Sequence, residues 1–439
     1  MSELFWLGVA ISLLVAWSAG VYLLNRRGLL EPRHLHAAGP FLMWKTGKGR
    51  DLIDRIARRK RLWSFFGDAS LVIVALTMLA TTLLLVWEAT IVQSPAVRQN
   101  APSPQLLLGL PGINPLIPLW YGIFGLTIAI VLHEFAHGIL SRVSNVRIRS
   151  LGVIFFLVPI GAFVEPDEDE MKALPRRERA RLYAVGPATN MVLAVLFAVL
   201  FSSLMASSIV PAHAGIGIAA LSAPDSPAAV AGLRPFTIIT SFNDTEIASA
   251  ENFTAARALV RVNQTVNVTT YDPATGTFAN YSVTLGQDPN TGDPLLGIYG
   301  FDVRTDFFYP LGNPDRFGGI PNAVLVYISL PFSGRAPIQE PFYEVRGAWA
   351  AVPEPLFYLL ANSLYWLFWL NVMLGATNAL PAVPLDGGFI FKDALEEFVS
   401  RLRRGIGAEA RDRIVKRVSY LFALFILALI VWQFIGPRV

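Results

Sequence analysis

Six stretches of this chain are long and apolar enough to cross a bilayer, and no other feature constrains its fold so strongly. They are residues 4–24, 65–92, 116–140, 182–210, 355–380 and 418–435. About 20 apolar residues in a helix match the hydrocarbon thickness, and a helix satisfies its own backbone where no water can. Composition points to the same solvent. Of 439 residues, 54% are hydrophobic and 15% charged, against about 25% charged in soluble domains. A cytosolic enzyme, a disordered chain and a fibrous repeat are excluded on that ground. The first run has no Lys or Arg before it and no small-residue cleavage site, so a retained anchor is expected. A seventh run, 151–164, is short and broken by Gly152, Pro159 and Gly161. Its β-branched and aromatic residues around two turn signals predict a re-entrant β-hairpin.

Charge sets the orientation. Basic residues crowd 25–64, 142–181 and 401–417, a stretch that includes Arg403 and Arg404. If all three are cytoplasmic, they alternate correctly with six helices, and both termini and 211–354 face outside. Two features agree. No lysine occurs between Lys172 and Lys392, and N-x-S/T acceptors start at Asn243, Asn252, Asn263, Asn267 and Asn280. A net charge of +4 gives no support to a nucleic-acid partner. Within 48–63, Leu52, Ile53, Ile56 and Leu62 recur at helical spacing among Arg and Lys, which predicts an interfacial helix on anionic lipid. The external segment shows strand-like runs at 237–242, 264–271 and 281–285 and a helical stretch at 250–260. Turn signals such as Asp272-Pro273 and Asn290-Thr291-Gly292 separate them. The Pro-, Gly- and aromatic-rich part, 313–352, has no clear period and reads as a surface linker.

The chain has no cysteine, so any metal must be held by His, Asp or Glu. One segment offers such ligands at a telling spacing: His133-Glu134-Phe135-Ala136-His137. Residues four apart share a helix face, so both imidazoles can grip one ion while Glu134 takes a proton from water. Ionisable groups inside a membrane helix are costly and mark functional sites. A catalytic zinc wants a third protein ligand. His34, His36 and His213 lie in loops, whereas Asp386 follows the fifth apolar run at the same cytoplasmic end that His137 approaches. Asp386 is therefore the better candidate for a third ligand, an ordinary helix N-cap before a Gly-Gly turn being the other reading of that residue.

These residues carry a family resemblance. The HExxH helix is preceded by Gly112-Ile113-Asn114-Pro115 and Trp120-Tyr121-Gly122. It is followed by Gly161-Ala162-Phe163-Val164-Glu165-Pro166, by Gly186-Pro187-Ala188-Thr189-Asn190, and by Asn378 to Pro384-Leu385-Asp386-Gly387. The chain resembles the site-2 proteases, zinc metalloproteases that cut other proteins within the membrane, most like archaeal or bacterial members. The resemblance implies one Zn2+ per chain on His133, His137 and Asp386, with Glu134 as general base. It brings in Asn190, Asn371 and Asn378 as substrate-binding residues, although buried Asn also bonds neighbouring helices. Gly186 and Pro187 are expected to pack and to start a helix. The external segment resembles a PDZ domain through Ser226-Pro227-Ala228-Ala229-Val230-Ala231-Gly232-Leu233-Arg234-Pro235, but Phe236-Thr237 stands where such domains continue Gly-Asp. A PDZ domain implies peptide C-termini as partners beside membrane-protein substrates.

The expected architecture is a mainly α polytopic membrane protein with about six transmembrane helices and an inserted mixed α/β PDZ-like extramembrane domain. Its parts are N-terminal helices with a basic loop (1–110), a membrane core with HExxH (111–210), the PDZ-like domain (211–310), a linker (311–353), and the Asp386 loop with a last helix (354–439). The expected activity is hydrolysis of peptide bonds in transmembrane or membrane-associated substrates. Two other classes are open: a metal transporter that uses the same ligands, and an inactive scaffold that recruits partners through the PDZ-like domain. Neither needs Glu134 as a base.

Overall fold

The computed structural model describes residues 3–94, 97–98, 103–107, 109, 111–156, 158–288, 291–402, 405 and 407–439. Asn290, Arg403 and Arg404, which entered the turn and charge readings, lie outside the described residues. The apolar runs are helices: Glu3–Arg26 (α1), Lys60–Ile91 (α2), Leu119–Val143 (α3), Arg176–Leu200 (α4), Glu354–Ala379 (α5) and Ala408–Ile435 (α7), with Asp386–Leu402 (α6) before the last. Among the described residues, α2, α3, α4, α5 and α7 are long and apolar enough to span a membrane. Several hydroxyls of α2 bond locally: Ser70, Thr77 and Thr81 donate to the carbonyls of Phe66, Ile73 and Thr77, which gives each a partner without water.

The chain divides into two compact units. The first comprises Met1–Gly109, Gly122–Ala194 and Leu370–Val439. It contains a four-stranded antiparallel sheet in the order β1 (Leu35–Ala38), β2 (Phe41–Thr46), β3 (Ile148–Phe156), β4 (Val158–Pro166). The hairpin expected at 151–164 is β3–β4, with Leu151 opposite Val164. The basic loop contributes β1 and β2, which its sequence did not signal. Gly152 lets these strands close up, since a Cβ there would overlap the Trp44 carbonyl. β4 ends the sheet, so its outer edge carries no further strand among the described residues.

Residues 48–63 differ from expectation. They form a short helix, Arg50–Ala57, and then the start of α2, with the break at Arg58 and Arg59. Ile53 and Ala57 are buried with Ala136, Ile139 and Leu140, so that helix spends its apolar side on protein. Leu52 and Leu62 stay exposed. The Gly186-Pro187 pair also corrects the reading: it lies inside α4, not at its start.

The second unit comprises Leu110–Tyr121 and Val195–Trp369. Its main sheet runs Thr277–Thr284, Thr265–Asp272, Ile238–Phe242, Ile216–Leu221, Ile298–Asp302, all antiparallel. Alternation explains the strands: Val266, Val268 and Val283 point inward to Ile239 and Phe242. Ser226 and Ser249 cap the helices Pro227–Val230 and Ala250–Ala258 by accepting the N–H of Ala229 and Asn252. Phe236 takes φ +64°, the left-handed conformation a glycine adopts freely, at a cost of about 1–2 kcal/mol. Residues 311–353, expected as a linker, carry the helix Ile320–Ile328 and buried Tyr327, Ile338, Phe342 and Tyr343.

Candidate metal centre

The i, i+4 spacing on α3 puts His133 and His137 one above the other, with Nε2 atoms 3.2 Å apart. Oδ2 of Asp386, the first residue of α6, lies 3.2 Å from His133 Nε2 and 3.3 Å from His137 Nε2. The far side of each ring fixes its proton. His137 Nδ1 donates to the Leu182 carbonyl at 2.6 Å, and His133 Nδ1 to Asn190 Oδ1 at 3.1 Å. With both protons on Nδ1, two bare nitrogen lone pairs and a carboxylate oxygen face one another at close range. Such a set repels itself unless a cation lies among it. Zinc with ligands at 2.0–2.1 Å in a tetrahedron separates them by about 3.3 Å, which matches the three distances found. The donor set fits the metal.

Packing holds this arrangement. Helix α4 passes so close that a Cβ on Gly186 would sit 2.6 Å from His133 Nε2 and overlap His137 Nε2. Pro187 lies within the helix and has no N–H to offer the Tyr183 carbonyl, and the neighbouring Leu182 carbonyl accepts from His137 Nδ1. Gly375 of α5 meets Met191, Asn190 and the Pro187 carbonyl, so α5 and α4 also pack closely. Asp386 is delivered by the 380–385 turn, where side chains on Gly387 and Gly388 would overlap the backbone of Ala379 and Ala382. Helix α6 is tied to α4 by Arg179, whose Nε and Nη2 hold both oxygens of Asp393 at 2.8 and 3.0 Å, and by Arg176 on Glu396 at 3.1 Å.

Glu134 turns to the other side of the site. One of its oxygens accepts the backbone N–H of Val164, on the outer edge of β4, at 3.1 Å. Glu134, His137, Val164, Tyr183, Asn378 and Asp386 line one cavity of about 380 Å³. Of the three asparagines, only Asn378 lines that cavity. Asn190 is fully buried against His133, and Asn371 is fully buried. His34, His36 and His213 are not part of the cluster. Sequence reasoning missed the Val164 N–H and the Leu182 carbonyl, because a backbone group leaves no trace in residue identity. It also missed Tyr183, whose ring stacks on Phe389 at 5.0 Å.

A bundle of spanning helices that closes two histidines and an aspartate around one point beside a glutamate defines a class: a metallopeptidase built into a multi-pass membrane protein. Residues 121–426 match the profile of peptidase family M50. The chain belongs to that family, the site-2 proteases, and is a zinc-dependent intramembrane peptidase. Among similar proteins is an uncharacterised protein of Methanocaldococcus jannaschii, 24% identical over 403 residues, covering 90% of this chain and 88% of the relative. The zinc metalloprotease RasP of Oceanobacillus iheyensis is 25% identical over 266 residues, 58% of this chain and 59% of that protein.

Proposed function

We propose that His133, His137 and Asp386 hold one zinc ion per chain and that Glu134 is the general base for hydrolysis of membrane-protein substrates. The convergence of His133 Nε2, His137 Nε2 and Asp386 Oδ2 within 3.3 Å of one another carries this reading. Held by His133, His137 and Asp386, a zinc ion would supply the acidity of the attacking water and the polarisation of the scissile carbonyl. Glu134 accepts the water proton and returns it to the leaving amine. The Val164 N–H restrains one carboxylate oxygen and leaves the other for that proton. Asn190 and the Leu182 carbonyl keep both rings in the tautomer that presents Nε2. A substrate helix must unwind to expose its carbonyl, and the outer edge of β4 offers a place for the extended chain. Asn378, on the cavity wall, is the asparagine placed to touch that chain; Asn190 acts through His133. Glu134→Gln keeps shape and removes only the base. Cleavage of a single-span substrate should fall about 10²–10⁴-fold while zinc stays near one per chain. Undiminished cleavage would sink the assignment.

The charge pattern supports an external 211–310 and a site towards the cytoplasmic leaflet. Reporter fusions after Gly215 and Asn313 should report the outside and fusions after Arg61 and Arg176 the cytoplasm; a cytoplasmic signal from Gly215 would reverse the orientation. The PDZ-like reading is supported by the left-handed Phe236 turn and by a groove of about 650 Å³ between the edge strand Ile298–Asp302 and the helix Ala250–Ala258. There a peptide C-terminus could add a strand. Anionic lipid is assigned to the exposed Arg55, Arg58, Arg59, Lys60 and Arg61, with Leu52 and Leu62.

A further inference from the structure

Residues 317–334 contain no Asp, Glu, Lys, Arg or His, and Arg316 and Arg335 bound them on either side. A charge-free run of this length that starts with Phe317-Gly318-Gly319 and ends with Pro331-Phe332-Ser333-Gly334 is too interrupted to span a bilayer as one helix. Its only helix, Ile320–Ile328, has nine residues.

The contacts of this segment place it at a definite depth along α5. Helix α5 presents Tyr358, Asn362, Tyr365 and Trp369 at spacings of four, three and four, hence on one face. Each polar group there meets backbone of the 317–343 segment. Trp369 Nε1 donates to the Ile328 carbonyl at 3.0 Å, and the Tyr365 hydroxyl donates to the Tyr327 carbonyl at 2.9 Å. Asn362 takes the Ile338 N–H at 2.7 Å and gives to its carbonyl at 3.2 Å. The Tyr358 hydroxyl donates to the Tyr343 carbonyl at 2.9 Å. At 1.5 Å per residue these rungs lie about 22, 16, 12 and 6 Å along α5 from Glu354. The chain therefore descends to Ile328 and climbs back to Tyr343 beside a helix long and apolar enough to span the membrane. On its other side, the Tyr327 hydroxyl meets Ser202 Oγ at 3.0 Å, just past the end of α4.

Non-helical backbone at membrane depth is tolerated only when protein satisfies it, and this ladder does that. The remaining hydroxyls bond locally: Ser329 and Ser333 donate to the carbonyls of Val326 and Leu330. Asn322 and Ser329 are exposed, but the large side chains that the helix turns away from protein are apolar. Ile320 is 64% exposed, Leu325 44% and Val324 40%. The outer turns of α5 expose Leu356, Leu359 and Leu360, so the spanning helix beside the segment also presents apolar side chains outward. We propose that residues 317–334 form a re-entrant hairpin whose exposed helix face, Ile320, Val324 and Leu325, is solvated by lipid acyl chains.

The absence of cysteine makes the test clean. Ile320→Cys, Val324→Cys and Leu325→Cys replace exposed side chains and cost no core. Each is spin-labelled in the full chain, reconstituted into phosphatidylcholine–phosphatidylglycerol vesicles, and compared with Phe278→Cys, an exposed position on a strand of the second unit's sheet. Labels at 320, 324 and 325 should be relaxed by oxygen in preference to a water-soluble nickel chelate, reversing the ratio found at 278. Preferential relaxation by nickel would place the segment in water and overturn the proposal. Protection from both reagents would also overturn it, because protein and not lipid would then cover the face. The readout does not depend on cleavage, so Glu134→Gln protein serves equally well, and failure here leaves the zinc assignment untouched.

Discussion

Gly186→Ala is expected to strip the protein of zinc and stop cleavage, although residue 186 contributes no side chain to the site. The added methyl would overlap His137 Nε2 and stand 2.6 Å from His133 Nε2. One neighbour could yield only by moving α4 away, and α4 is held by Gly375 on one side and by the Arg179–Asp393 pair at its start. The rings must move instead. Rotation of either breaks its Nδ1 bond, to Asn190 or to Leu182, and so disturbs both the tautomer and the aim of Nε2. Loss of such orienting partners alone costs about 10–100-fold in metal affinity, and here the ligand atoms are displaced as well. Zinc affinity should therefore drop by at least about 100-fold. Gly20→Ala is the control, since a Cβ there meets nothing. Both variants should insert in the membrane to the same extent. If Gly186→Ala kept zinc and full activity, the close passage of α4 over the histidines would be wrong.

Asp386→Ala should also release zinc, by a different route. It leaves the two imidazoles in place and removes the one formal negative charge facing them at 3.2 and 3.3 Å. Two neutral ligands hold zinc much less firmly than three, so metal content on purified protein should fall well below one per chain and cleavage should be lost with it. Asp386→Asn refines the test: it fills the same space and gives up only the charge, so its zinc affinity should lie between wild type and Asp386→Ala. Adding zinc in excess should restore part of the cleavage in Asp386→Asn and none in Glu134→Gln, which lacks the base and not the metal. Full zinc retention by Asp386→Ala would show that the third ligand lies elsewhere.

Much of this architecture is written in local pattern. Lengths of apolar sequence determine helices such as α2 and α5, because in lipid only a helix or a closed barrel pairs its backbone internally. The i, i+4 spacing of His133 and His137 determines that two imidazoles share a face before anything else is known. Alternation in Thr265–Asp272 determines a strand in the same way. Each of these signals repeats within one element, so neighbouring residues carry it.

What the tertiary structure alone decided depends on residues far apart in sequence. Asp386 meets His133 across 253 positions, and the sequence left its N-cap role and its ligand role equally open. Asn190 could have bonded any neighbour; packing aims it at His133. Gly186 reads as a packing residue, and only the path of α4 shows that the space it leaves is filled by the histidine pair. The pairing of β2 with β3 and the descent of residues 317–334 along Tyr365 and Trp369 went unread for the same reason. Their backbone bonds are made with distant elements, and a chain shows such partners only once it has folded around them.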